Sequence, residues 1–223
     1  MSGPTTIEST STSTSVTETT TTTTSTPTTS TPTTSATTTA PTTTSATSPS
    51  SSTGSFRVAP GGTAVIGTSG TLYRYTVEVE DGVAVDPAGL AAAVDATLAD
   101  ARSWIGAGNV RLQRVGRGQA PTFHVRLATP STVDAHCAPL KTAGRYSCRN
   151  GSDVMLNADR WSTGAAPAHM PLAEYRVYMV NHEVGHALGH GHQPCPSPGA
   201  LAPVMLQQTK GLQGCRPNPY PFP

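Results

Sequence analysis

Residues 56–223 predict an α+β domain, and three observations lead there. Several short segments alternate apolar and polar side chains, the period-two signature of strands with one buried face. Two longer segments repeat apolar residues at three- and four-residue spacing, as helices with a buried stripe do. The two kinds follow one another as strand, helix, strand, strand, irregular or edge strand, strand, helix, punctuated by Gly and Pro.

The chain before Phe56 differs in character. Residues 1–55 are Ser, Thr and Pro with little else; Glu8 and Glu18 are the only charged side chains, and no aromatic residue occurs. Such a segment cannot bury enough apolar surface to offset its ordering entropy, which predicts a disordered linker. The 168 residues from Phe56 onward are enough for one domain with a core of its own.

Within that domain Val58 to Gly70 reads as a Gly-rich leading loop with a short strand near Ala64-Val65-Ile66. Tyr73 to Glu80 alternates as a half-buried strand does, and Asp81-Gly82 ends it. Asp86 can cap and Pro87 open a helix running to about Ser103, with Leu90, Val94, Leu98 and Ala101 in its buried stripe. Val110 to Val115 and Phe123 to Leu127 are further strands on either side of the turn Gly116-Arg117-Gly118-Gln119. Pro130 to Arg149 reads as irregular. Arg145-Tyr146-Ser147-Cys148 before the turn-like Arg149-Asn150-Gly151 suits an edge strand, and equally a disulfide-tied surface loop. Asp153 to Asn157 is a short buried strand followed by Trp161. The last helix begins near Pro171 and carries Val177, Val180, Val184 and Leu188 on one side.

The opposite side of that helix carries the chemistry. His182-Glu183-Val184-Gly185-His186 puts two imidazoles four residues apart on one face, where both can reach a single Zn²⁺ at roughly 2.0–2.1 Å. Glu183 lies about 100° round the helix from His182, beside such a metal rather than on it, in position to take a proton from a bound water. Were the helix to continue, His192 would sit about 9 Å along the axis from His186, too far to share the ion. Gly189 provides a break, since glycine enters the left-handed conformation at little steric cost. Four of the seven histidines fall between His182 and His192. His190, about 40° beyond His186 on the helix wheel, reads as a rim or supporting residue rather than a ligand.

The full pattern His182-Glu183-x-x-His186-x-x-Gly189-x-x-His192 resembles the metzincin clan of zinc endopeptidases. The resemblance implies a twisted mixed β-sheet packed on a backing helix and an active-site helix, with Met205 of Pro203-Val204-Met205 forming a methionine turn beneath the metal. It implies His182, His186 and His192 as zinc ligands, Glu183 as general base, and a peptide or protein substrate that adds to an edge strand of the sheet. The chain also departs from the clan. Some metzincins carry a tyrosine two positions after the methionine, where this chain has Gln207, so oxyanion stabilisation must come from elsewhere. Thirteen positions separate His192 from Met205, and the 18 residues after Met205 include Pro217, Pro219, Pro221 and Pro223, which forbid a long final helix and imply a minimal C-terminal subdomain. As a whole the chain looks most like an actinobacterial extracellular metzincin-like domain without an established function, on Val180 to His186, Pro203 to Thr209 and Gly214-Cys215.

Cys137, Cys148, Cys195 and Cys215 show no Cys-x-x-Cys spacing and allow three pairings. Cys137–Cys148 with Cys195–Cys215 is preferred because each bridge staples a local loop, the second holding the segment around Met205. Disulfides and a Thr/Ser/Pro tail both point to an extracellular or cell-envelope location, although no export signal is visible in this chain. The domain holds all 14 bases and 11 of the 13 acids, too mild and scattered a charge for nucleic acid, and no stretch is apolar enough to span a bilayer. The expectation is therefore a monomeric, secreted or cell-envelope zinc metallopeptidase. Alternatives are a non-catalytic zinc-stabilised binding module on the same histidines, and a hydrolase of a cell-wall peptide amide.

Overall fold

The computed structural model describes Gly3 and residues 54–223, so the linker expected over 1–55 lies, but for Gly3, Gly54 and Ser55, outside the described residues. The described chain is α+β, with six strands in one mixed sheet and four α-helices. Its spine is β2 (Thr71–Glu80), ten residues long. One edge of β2 carries β3 (Val110–Arg114) in parallel along its first half and β1 (Phe56–Val58) antiparallel along its second. The other edge pairs in parallel with β4 (Phe123–Ala128), then β6 (Asp153–Asn157), and antiparallel β5 (Cys148–Asn150) closes the sheet.

The register sorts the two faces. Val77, Val125 and Val154 form one cross-strand rung and Val79, Leu127 and Leu156 the next, all fully buried. Burying each of these aliphatic side chains contributes roughly 1.5–3 kcal/mol, and they face the main core shared with α1 and α4. α1 (Pro87–Ala99) starts as its sequence implies, with the Asp86 carboxylate accepting from Gly89 N at 2.9 Å and Pro87 in the first turn. It stops short of Ser103, however. Asp100 turns the chain out by accepting from the backbone and guanidinium of Arg102, so Ala101 is exposed and Trp104, on the following 3₁₀ turn, takes the buried place.

The other face corrects the sequence reading most. Thr76, His124 and Asp153 form a rung there, and Glu78 lies beside Arg126 on the next. A half-buried strand would leave these polar side chains in water. Instead Thr76, Glu78 and Glu80 are buried: Thr76 and Glu78 bond one another, His124 and Arg126, and α2 (Pro130–Cys137), which forms within the stretch read as irregular, supplies Thr132 to Glu80. Only Val133 and Cys137 of this two-turn helix are buried apolar residues, too few to show a periodic stripe. The remaining corrections are local. Ala64 to Ile66 makes only a single bridge, from Ile66 to Leu112, while β1 forms in its place nearer Phe56. β5 is shifted from Arg145–Cys148 onto Cys148–Asn150, with the tight turn after it. Both sequential disulfides, Cys137–Cys148 and Cys195–Cys215, are formed. The first ties α2 to β5. Among the described residues no helix is long and apolar enough to cross a membrane.

Candidate metal centre

α4 (Leu172–Ala187) is more deeply buried than a helix with one packed face. Val180 and Val184 are buried as the stripe predicts, while Val177 and Leu188 are only half-buried. Tyr175, Tyr178, Met179 and Asn181 are buried as well. Asn181 accepts from Ser103 Oγ at 2.7 Å on its Oδ1 and donates from Nδ2 to the Pro219 carbonyl at 2.9 Å. Its main-chain oxygen accepts from the Trp104 indole at 2.9 Å. The segment after Met205 thus packs along the helix instead of forming one of its own.

The helix ends in a Schellman arrangement. His190 N donates to Gly185 O at 2.9 Å and Gly189 N to His186 O at 3.1 Å, with Gly189 at φ 96°, left-handed backbone that a side chain would strain. This ending does more than stop the helix. It delivers the His190 carbonyl to His186, whose Nδ1 donates to it at 2.8 Å. His182 Nδ1 likewise donates to Val204 O at 2.8 Å. Fixing the proton on Nδ1 leaves each Nε2 with a lone pair, the form a metal ligand requires. Beyond the turn Gln193 N donates to Met205 O at 3.1 Å, tying the strand of chain that carries His192 to the same segment.

His182, His186 and His192 thereby each offer a nitrogen, all within 4.8 Å of one another, and this cluster can hold a metal ion. The Nε2 atoms of His186 and His192 are 3.1 Å apart. Two ligands at 2.0–2.1 Å in a tetrahedron would be separated by about 3.3–3.4 Å, so the spacing fits one shared ion. Burial, helped by neighbouring positive groups and only partly opposed by the Val204 carbonyl contact, lowers the pKa of His182 to about 3, so it is neutral at physiological pH. Burial also lowers His186 and His192. Three neutral imidazoles, each with a ring nitrogen turned to the others, suit a metal cation.

Glu183 completes the fit. It is 6 % exposed, and its Oε2 has no hydrogen-bond partner. Burial alone pushes its pKa up to about 8, which would leave the carboxyl protonated at neutral pH. A dication nearby favours the carboxylate instead. Met205 is 2 % exposed, and a Cβ at Gly185 would stand 2.6 Å from its sulfur and 2.6 Å from the Trp104 ring. That close approach demands glycine within the helix. The His190 ring stacks on Trp104 with centroids 4.3 Å apart and does not join the three other histidines.

Glu183, His186 and His192 line a cavity of about 500 Å³ together with Tyr146, Arg149, Gln207 and Lys210. Of these, the sequence reading singled out Gln207 and placed Tyr146 and Arg149 in the edge strand and its turn, without giving either side chain a role, and it passed over Lys210. Their convergence depends on β5 and on the loop after Met205, whose shape Tyr178 sets by donating to Leu206 O and accepting from Gln208 N, at 2.9 and 2.8 Å.

The family described as "Protein of unknown function (DUF3152)" matches residues 41–216. No curated protein and no solved structure matches the chain.

Proposed function

The chain belongs to the DUF3152 family, and from the chemistry of its site we propose that it is a zinc-dependent metallopeptidase of the metzincin type. His182, His186 and His192 would hold the ion. A zinc ion there supplies Lewis acidity to a carbonyl and lowers the pKa of water towards about 7. The observation that carries the reading is Glu183, the one carboxylate lining the cavity that His186 and His192 also line, buried with a free Oε2. A purely structural metal site gains nothing from a desolvated acid beside it, whereas a proton carrier needs an oxygen not already committed.

In this reading Glu183 accepts a proton from the attacking water and delivers it to the leaving amine. The Val204 and His190 carbonyls keep the ring protons of His182 and His186 on Nδ1 throughout. Met205, packed against Gly185, is an apolar support beneath the histidines and not a ligand. The two disulfides favour an oxidising compartment, in keeping with a secreted or cell-envelope enzyme.

The test pairs elemental analysis of zinc per chain with digestion of a mixed peptide library by wild type and Glu183→Ala. One zinc in both proteins with cleavage only by wild type is the expected result. One zinc in both with cleavage by neither would reduce the centre to a structural one, and no zinc in wild type would remove the reading altogether.

A further inference from the structure

The cavity beside the histidines has an unbalanced charge. Lys141, Arg149 and Lys210 line it, and among the described residues Glu183 is the one carboxylate that does. None of the ion pairs among the described residues includes any of these three cations; the paired arginines are Arg57, Arg102, Arg114 and Arg126. Asp134, on α2 and outside the cavity lining, is committed to the neighbouring loop, accepting from Gly144 N at 2.9 Å and from the Thr142 hydroxyl.

Arg149 and Lys210 are also held in place by the fold. Arg149 stands on β5 opposite Val154, and cross-strand partners share a face, which here is the face packed on α4. Lys210 follows Thr209, whose hydroxyl bonds the Tyr175 hydroxyl at 2.9 Å, on the loop that Tyr178 also anchors. Its ammonium lies 4.9 Å from the ring centroid of Tyr146, on the opposite wall. Both cations line the same cavity as Glu183, His186 and His192.

We infer that this cleft selects peptides bearing a carboxylate beside the bond to be cut, recognised by Arg149 and Lys210. The inference rests on the peptidase reading for the bond itself, but recognition of the anion does not depend on turnover. Arg149 and Lys210 are exposed to solvent at the cavity wall, where an incoming carboxylate gives each a charged partner and a neutral side chain gives none. The carboxylate can belong to an internal Asp or Glu or to the end of a short peptide, and the experiment separates these.

Full-length, zinc-loaded Glu183→Gln is titrated by fluorescence anisotropy with fluorescein-labelled alanine hexapeptides carrying one central Glu or Gln, each as free acid and as C-terminal amide. The Glu amide is expected to bind about tenfold tighter than the Gln amide at low salt, falling to about twofold in 0.5 M salt. Adding Arg149→Gln or Lys210→Met, each checked for one zinc per chain and an unchanged melting curve, should shrink the ratio. A preference for the Gln free acid over its amide, lost in the same variants, would assign the terminal carboxylate as the anion. Equal binding of all four peptides, or binding of none, would overturn the inference. Wild type digesting the same set distinguishes it from its parent: preference without cleavage discards the peptidase and keeps the anion-selective cleft, and cleavage without preference does the reverse.

Discussion

Glu80 and Glu183 are both buried glutamates, 0 % and 6 % exposed, in opposite circumstances. Glu80, under α2, accepts from Thr129 N and from Thr132 Oγ1, each at 2.7 Å, one on each carboxylate oxygen. Beside it Glu78 takes hydrogen bonds from Thr76, His124 and Arg126. Glu183, beside the histidines, keeps one oxygen without a partner. Burying an acid and satisfying it fastens two elements together. Burying one and leaving it unsatisfied stores a proton acceptor at a cost in stability, a cost that persists only where something else in the site offsets it. The α2 face therefore behaves as structure, and the α4 face is where we propose the chemistry, although both are built on the same sheet.

Substitutions can break that contrast. The largest effect is expected from Glu183→Gln, which should lower kcat for peptide hydrolysis on the order of 10²- to 10⁴-fold while leaving zinc content intact. A variant with full turnover would place Glu183 with Glu80, as structure. Next comes Glu80→Ala, which strands Thr129 N and Thr132 Oγ1 and should reduce the free energy of urea unfolding by about 2–4 kcal/mol. A loss well under 1 kcal/mol would mean the α2 face is not fastened as described.

Acid should attack the α2 face in particular. Burial raises the pKa of Glu78, but hydrogen bonds from His124, Thr76 and Arg126 outweigh it and bring it down to about 2. Because the folded value lies below the ordinary carboxyl value of 4.5, its contribution is complete above about pH 4.5 and is lost as pH falls through about 2. Thermal unfolding of wild type and Glu78→Gln between pH 5 and 2 should therefore converge as pH drops, from a gap of about 1–3 kcal/mol; parallel curves would count against the shift. The smallest effect carries the opposite sign. In metal-free protein, Glu183→Gln should stabilise by about 0.5–1 kcal/mol, since an amide is easier to bury than an unsatisfied acid. Destabilisation there would show that Glu183 has a structural partner after all.

The sequence was most informative where function and geometry are local. Gly189 and the histidine spacing sit within one helix and its ending, so a few residues suffice to bring His182, His186 and His192 together. The strands β2, β3 and β4 were legible because period-two alternation survives in them, and β6 because it is a short apolar run. What escaped depends on distant partners. α2 has no stripe because it is only two turns long and buries just Val133 and Cys137 of its apolar residues, and Glu78 and Glu80 look solvent-exposed until distant residues supply their partners. The register of β5 is set by β6 and by the Cys137–Cys148 bridge. Arg149 and Lys210 lie 61 positions apart and meet one cavity only through the fold.

Asn181 bears on how the chain tolerates variation. It touches neither the three histidines' ring nitrogens nor the cleft, yet it joins Ser103, Trp104 and Pro219 to the residue just before the first histidine. In a saturation screen scored for folded protein with metal withheld, position 181 should admit almost no replacement, because few side chains present an acceptor and a donor in that geometry. Position 186, whose imidazole is half-buried, should admit several. Inheritance of this motif thus has two independent filters acting on adjacent letters, one for holding the chain together and one for what the chain does.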